Sequence, residues 1–200
     1  MKKVYVTRMI DEEAIDLLKE KYEVDINLED RDSTKNELLN IVAHYDAVLT
    51  MLSNKIDKEV IDKAKNVKIF ADYSVGYNNF DVDHAKEKGI YLTNTPDVLT
   101  NATADLTFSL LLAVSRRIVE SDQYVSVGKF KEWKPGLLLG KELYGKTLGI
   151  VGFGRIGKAV AKRANGFGLN VIYYNRTRKE DKELNSKYVD FDTLLKDSDF

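Results

Sequence analysis

The stretch Leu148-Gly149-Ile150-Val151-Gly152-Phe153-Gly154-Arg155-Ile156-Gly157 is an apolar run that breaks into G-x-G-x-x-G and then continues with Ala159, Ala161 and Ala164 at helical spacing. Three glycines at that spacing arise by chance in many chains. Placed between a predicted strand and a predicted helix, they match the fingerprint of a dinucleotide-binding turn. Each glycine then has a physical task. Gly152 permits the tight turn, Gly154 offers no side chain to obstruct a pyrophosphate, and Gly157 lets helix and strand approach closely. The backbone N–H groups near Arg155 and Ile156 would meet the phosphate with the favourable end of the helix dipole, beside Phe153. A plain strand-to-helix turn is the alternative.

Twenty residues on, the next predicted strand, Val171 to Tyr174, ends in Asn175-Arg176-Thr177-Arg178-Lys179. A carboxylate at this point would accept from the adenosine ribose hydroxyls. Asn175 stands there instead. Arg176, Thr177 and Arg178 supply donors suited to a 2′-phosphate, so NADP is expected ahead of NAD, with NAD still admitted. An ordinary solvated charge run is the competing reading.

Upstream, β-branched or aromatic runs alternate with helical ones. Strands are predicted at Val4–Thr7, Tyr22–Ile26, Asp46–Thr50, Val67–Ala71 and Ile90–Thr93, with helices at Asp11–Lys19, from Ser33 or Thr34 to His44, Asp57–Lys65 and Val82–Lys88. Ala14, Leu17 and Leu18 are expected on the buried face of the first helix, and Gly89 as a left-handed cap. Five strands joined by helical crossovers predict a parallel sheet. Pro96 marks the expected boundary, giving domains 1–96 and 97–200. A helix is then predicted over Thr100–Val125, with Leu106, Leu110, Val114 and Ile118 on one stripe and the segment Leu106–Val114 read as core. After the glycine loop come strands at Thr147, Val171 and about Tyr188, and a helix from Phe191. Asp197-Ser198-Asp199-Phe200 has the character of an approach to another strand, so the chain is expected to be part of a longer protein, inactive alone.

Composition narrows the classes. In 200 residues, 44% are hydrophobic and 32% charged, which argues for an ordinary folded chain rather than a disordered or fibrous one. The formal net charge is −1, which provides no global field for nucleic acid or an anionic membrane, so neither is an expected partner. There is no cysteine, hence no disulfide framework and no thiolate chemistry, and no export signal is visible; the cytoplasm is the expected compartment.

Three separated stretches carry a resemblance. Leu143-Tyr144-Gly145-Lys146-Thr147-Leu148 running into the glycine loop, Val75-Gly76-Tyr77-Asn78-Asn79-Phe80-Asp81, and Thr93-Asn94-Thr95-Pro96-Asp97 together resemble the D-2-hydroxyacid dehydrogenase family, nearest its glyoxylate/hydroxypyruvate reductase branch. The resemblance implies a flavodoxin-like substrate domain followed by a truncated Rossmann dinucleotide-binding domain. It implies a reductase that passes hydride from a nicotinamide to a small 2-keto acid, glyoxylate or hydroxypyruvate, giving the D-2-hydroxy acid. On the matching positions, the amides of Val75 and Gly76 would hold the substrate carboxylate. A strand-to-helix turn there is the alternative. Thr103 would lie near the nicotinamide, with helix capping as the other reading. Trp133 resembles a loop that reaches a neighbouring subunit, although simple packing explains a lone tryptophan equally well.

The family's catalytic histidine, glutamate and arginine would all lie beyond residue 200, so no catalytic residue is expected within 1–200. His44 and His84 read as helix-terminal or surface groups and are not assigned. A homodimer is expected, because the apolar residues of the Thr100 helix, Phe108, Leu111 and Leu112 included, extend around more of its circumference than one packing face needs. A non-catalytic dinucleotide-sensing interaction protein on the same fold is the alternative function.

Overall fold

The computed structural model describes residues 1–179 and 183–200, and these divide into two compact units, Met1–Val98 and Leu99–Phe200. The first unit alternates strand and helix as β1 (Lys3–Val6), α1 (Glu12–Lys19), β2 (Glu23–Ile26), α2 (Lys35–His44), β3 (Ala47–Thr50), α3 (Lys58–Lys63), β4 (Ile69–Asp72), α4 (Val82–Glu87) and β5 (Tyr91–Thr93). Its sheet is wholly parallel in the order β2-β1-β3-β4-β5, the flavodoxin order.

The helix starts follow from side-chain chemistry. Asp11, Asp57 and Asp81 each accept from a first-turn N–H of α1, α3 and α4. Thr34 closes a capping box on α2: its hydroxyl accepts from Glu37 N–H, and the Glu37 carboxylate accepts from Thr34 N–H at 2.7 Å. Gly89, at φ +69°, ends the turn after α4.

Register explains which side chains are buried. Tyr5, Val48, Phe70 and Leu92 stand opposite one another across four strands, and Val48 and Phe70 lie at the centre of a core with Val42, Ile56, Val60 and Ile61. Right-handed crossovers run one way for β1 to β2 and the other way for the later strands, which puts α1 alone on the second face. That face carries Val4, Ala47, Leu49, Ile69 and Ala71, lining a concavity with Leu18 and Tyr22. On α1 the buried residue is Ile15, at 2% exposure. Leu17, expected on the inner face, is 61% exposed, because position 17 lies two residues from Ile15 and so off its side of the helix.

The second unit contains α5 (Thr100–Ser115), α6 (Ile118–Ser126), β6 (Thr147–Val151), α7 (Arg155–Gly166), β7 (Asn170–Tyr174), β8 (Ser186–Tyr188) and α8 (Phe191–Asp197), with a parallel sheet ordered β6-β7-β8. The single helix expected over Thr100–Val125 is in fact two: Arg117 adopts φ +55°, a left-handed conformation that an α-helix cannot continue through. The stripe reading is also corrected. Ala104 and Phe108 are the buried apolar residues of α5, packed with Ala161 and Ala164 of α7. Leu106, Leu110, Val114 and Ile118 are 60%, 57%, 79% and 52% exposed, so that stripe is not core of this unit. Arg163 fastens α7 to α5 by donating to Asp105 at 2.6 Å and to the Asn101 carbonyl. Residues 199 and 200 hydrogen-bond to β6 at Thr147 and Gly149. Among the described residues no helix is long and apolar enough to cross a membrane.

Candidate active site

The glycine loop leaves β6 and turns into α7, and its three glycines have different surroundings. Gly152 sits at φ +96°, where a side chain would be strained. A Cβ at Gly157 would stand 2.2 Å from the Gly152 carbonyl oxygen, so close helix–strand approach requires its absence. A Cβ at Gly154 would meet nothing within 4 Å and would project into open space beside the helix start. Gly154 is also the N-cap of α7 and supplies no side-chain cap.

The intervening residue Phe153 is turned inward. It is fully buried and its ring stacks on Tyr173 at 3.8 Å. Its N–H donates to Oδ1 of Asn175 at 3.1 Å, while the Asn175 amide donates to the Thr177 carbonyl at 2.7 Å. Asn175 is therefore a brace between the end of β7 and the glycine loop, a role that only the folded geometry reveals. Arg176, Thr177 and Arg178 follow it on the exposed side, with the Arg178 guanidinium 5.9 Å from the centre of the Tyr188 ring.

In the first unit, Val75 and Gly76 are half-buried just past the carboxyl end of β4, the end at which open parallel sheets hold ligands. Beneath them lies a polar cluster that sequence reasoning missed. Asp72, 2% exposed, accepts from Thr50 Oγ1 at 2.8 Å and from Asn79 Nδ2 at 3.4 Å, and Ser74 Oγ also hydrogen-bonds to it. Asn54, also buried, accepts from Thr7 Oγ1 at 2.7 Å and from Met51 N–H. The one signal in sequence was Asp72 and Thr50 closing apolar strands, where a carboxylate and a hydroxyl are unexpected unless paired.

Thr103 lies within the first turn of α5. Its carbonyl accepts from Thr107 Oγ1, and the α5 N-cap is Leu99 with no side-chain cap, so Thr103 does not cap the helix. Trp133 is 77% exposed. Neither histidine lies in these clusters. His84 Nε2 is 3.0 Å from Asp62 Oδ1 and its Nδ1 faces Glu87, and Lys88 and then His84 hold the Asp62 carboxyl below the usual carboxylate range. His44 closes α2.

Comparison with known proteins adds the rest. Residues 4–193 match the model of the D-isomer specific 2-hydroxyacid dehydrogenase family, catalytic domain. A glyoxylate reductase from Thermococcus litoralis is 52% identical over 99% of this chain and 62% of its own length. The crystal structure of the TT0316 protein from Thermus thermophilus superimposes with a TM-score of 0.88 at 46% identity, over 98% of this chain and 62% of that one. A D-lactate dehydrogenase from Aquifex aeolicus, solved with NAD and lactic acid, gives a TM-score of 0.81 at 26% identity, over 98% of this chain and 58% of that one. The chain thus spans about three-fifths of the length of these relatives. Motifs, sheet order and relatives agree over nearly the whole sequence, and the chain belongs to the D-isomer specific 2-hydroxyacid dehydrogenase family.

Proposed function

We propose that this chain supplies the substrate-carboxylate loop and the adenosine half of the cofactor site of a nicotinamide-dependent reductase that converts a small 2-keto acid, glyoxylate or hydroxypyruvate, to the D-2-hydroxy acid. The observation that carries the reading is the glycine loop. It pairs open space at Gly154 with the N-terminal end of α7, whose cap residue carries no side chain, directly after a parallel strand. The pyrophosphate would lie against Gly152, Phe153, Gly154, Arg155, Ile156 and Gly157, with Thr103 toward the nicotinamide. When bound, the nicotinamide supplies the hydride. Val75 and Gly76 would orient the keto acid through its carboxylate. The family relationship and the reductase relative favour catalysis over a dinucleotide-sensing role.

NADPH is the preferred donor in this reading. Asn175 spends its side chain on the Phe153 amide and presents no carboxylate to a ribose, while Arg176 and Arg178 can pair with a 2′-phosphate. The protein works as a homodimer, joined through the apolar stripe that α5 leaves exposed.

The test is a steady-state assay of the complete gene product on glyoxylate and hydroxypyruvate with each cofactor, repeated after joint replacement of Arg176 and Arg178 by alanine. Turnover with NADPH ahead of NADH is expected. The double variant should lose about tenfold in NADPH affinity while NADH is spared, the size of one charge-assisted contact. Equal losses for both cofactors would contradict the role of the arginines.

A further inference from the structure

Three consecutive carbonyls in the loop after β4 are each held by a group of the same unit. Ser74 O accepts from Thr95 N–H at 2.8 Å and from Thr95 Oγ1 at 3.0 Å. Val75 O accepts from Asn94 Nδ2 at 2.9 Å. Gly76 O accepts from Ser74 Oγ at 2.5 Å, and the same hydroxyl lies against the buried carboxylate of Asp72. Every peptide bond described is trans, and in a trans peptide the C=O of one residue and the N–H of the next point in opposite directions within one rigid plane. Holding the carbonyl of Ser74 therefore aims the N–H of Val75, and holding the carbonyl of Val75 aims the N–H of Gly76. Neither N–H donates to a protein group among the described residues.

We propose that Asn94, together with Thr95, is a positioning residue for carboxylate recognition: the two fix the peptide planes whose N–H groups at Gly76 and Val75 receive the substrate carboxylate. The inference rests on the reading of that loop as the carboxylate site. Its physical content is preorganisation. A peptide free to flip would present its carbonyl to the anion for part of the time, and the anion would have to bind against that repulsion; an amide locked outward needs no reorganisation when charge arrives. Pro96 assists by pressing Thr95 toward an extended backbone, which keeps the Asn94-Thr95 pair alongside the loop. Gly76 admits the close fit: a Cβ there would crowd Oδ1 of Asn78 at 3.3 Å.

Asn94→Ala and Thr95→Val in the complete enzyme test this, with oxalate as a dead-end probe of carboxylate binding. Each variant is expected to raise the KM for the keto acid and the inhibition constant of oxalate about tenfold, with kcat and NADPH affinity within about twofold of the unmodified enzyme. Unchanged KM and oxalate inhibition in both variants overturn the positioning role. So does a uniform loss of kcat, cofactor affinity and melting temperature, or failure of both variants to fold, since these side chains would then serve only structure. An unmodified enzyme that turns over keto acids but is not inhibited by oxalate would instead overturn the reading of the loop itself, and the proposal with it.

Discussion

Gly157 is the residue at which fold and site depend on the same atom, or on its absence. The carbonyl of Gly152 occupies the space a Cβ would need, and Gly152 is itself committed to φ +96°, so the loop cannot retreat without leaving its conformation. Gly157→Ala is therefore expected to cost about 1 to 3 kcal/mol by overpacking, more than the helix-propensity gain of alanine returns. Chemical denaturation of the two proteins checks this, and equal midpoints would show that the loop yields freely. The three glycines were legible in sequence because their spacing and their strand–helix context are local. Asn175 was legible only as a missing acid; its bond to Phe153 joins residues far apart in the chain, and no pattern of spacing announces it. The same holds for the bond from Thr50 to Asp72, which joins two strands across 22 residues.

Among the elements, α2 shows how far local chemistry decides a boundary. The Thr34–Glu37 box starts it as the sequence allows, and Arg31 adds a fork of two bonds to the Glu37 carboxylate, at 2.9 and 2.7 Å. Arg31 foremost, then the N–H and hydroxyl of Thr34, lower the Glu37 pKa from 4.5 to about 2. Since the folded value lies below the ordinary one, this contribution to stability is whole above about pH 4.5 and drains away as the pH falls toward 2. Glu37→Gln should consequently flatten the acid limb of the stability profile while changing its slope little near neutrality. Thermal melts of both proteins between about pH 2 and 7 measure it, and parallel acid limbs would contradict it. The break between α5 and α6 marks the opposite case. Nothing in the composition of residues 115–118 forbids a helix, and the left-handed turn at Arg117 is sustained by bonds from its guanidinium to Glu120 at 2.8 and 2.7 Å and to the Leu139 carbonyl. The last of these arrives from 22 residues away, beyond the reach of periodicity.

At the scale of the whole molecule, the parallel sheet of the first unit could be read from strand–helix alternation, because parallel neighbours need helical crossovers, whereas its strand order emerges only in the folded chain. Which face of α5 is buried could not be read either. Both stripes are apolar, and the choice falls to Ala104 and Phe108 through their fit against the small residues of α7. The exposed stripe carries the dimer proposal to a measurement. Light scattering of the complete protein at micromolar concentration should give twice the chain mass, and Leu110→Asp with Val114→Asp should give a folded monomer, since both side chains are more than half exposed in one subunit. A monomer before mutation would remove the proposal. The division at Val98 and Leu99 bears on synthesis as well as on architecture. The five strands and four helices described in the first unit all precede Val98, and the glycine loop follows them in the chain. At translation speeds of about 5 to 20 residues per second, the stretch between Val98 and Gly152 takes roughly three to eleven seconds to add, so the strands that carry the carboxylate loop are made before the codons for the glycine loop are read.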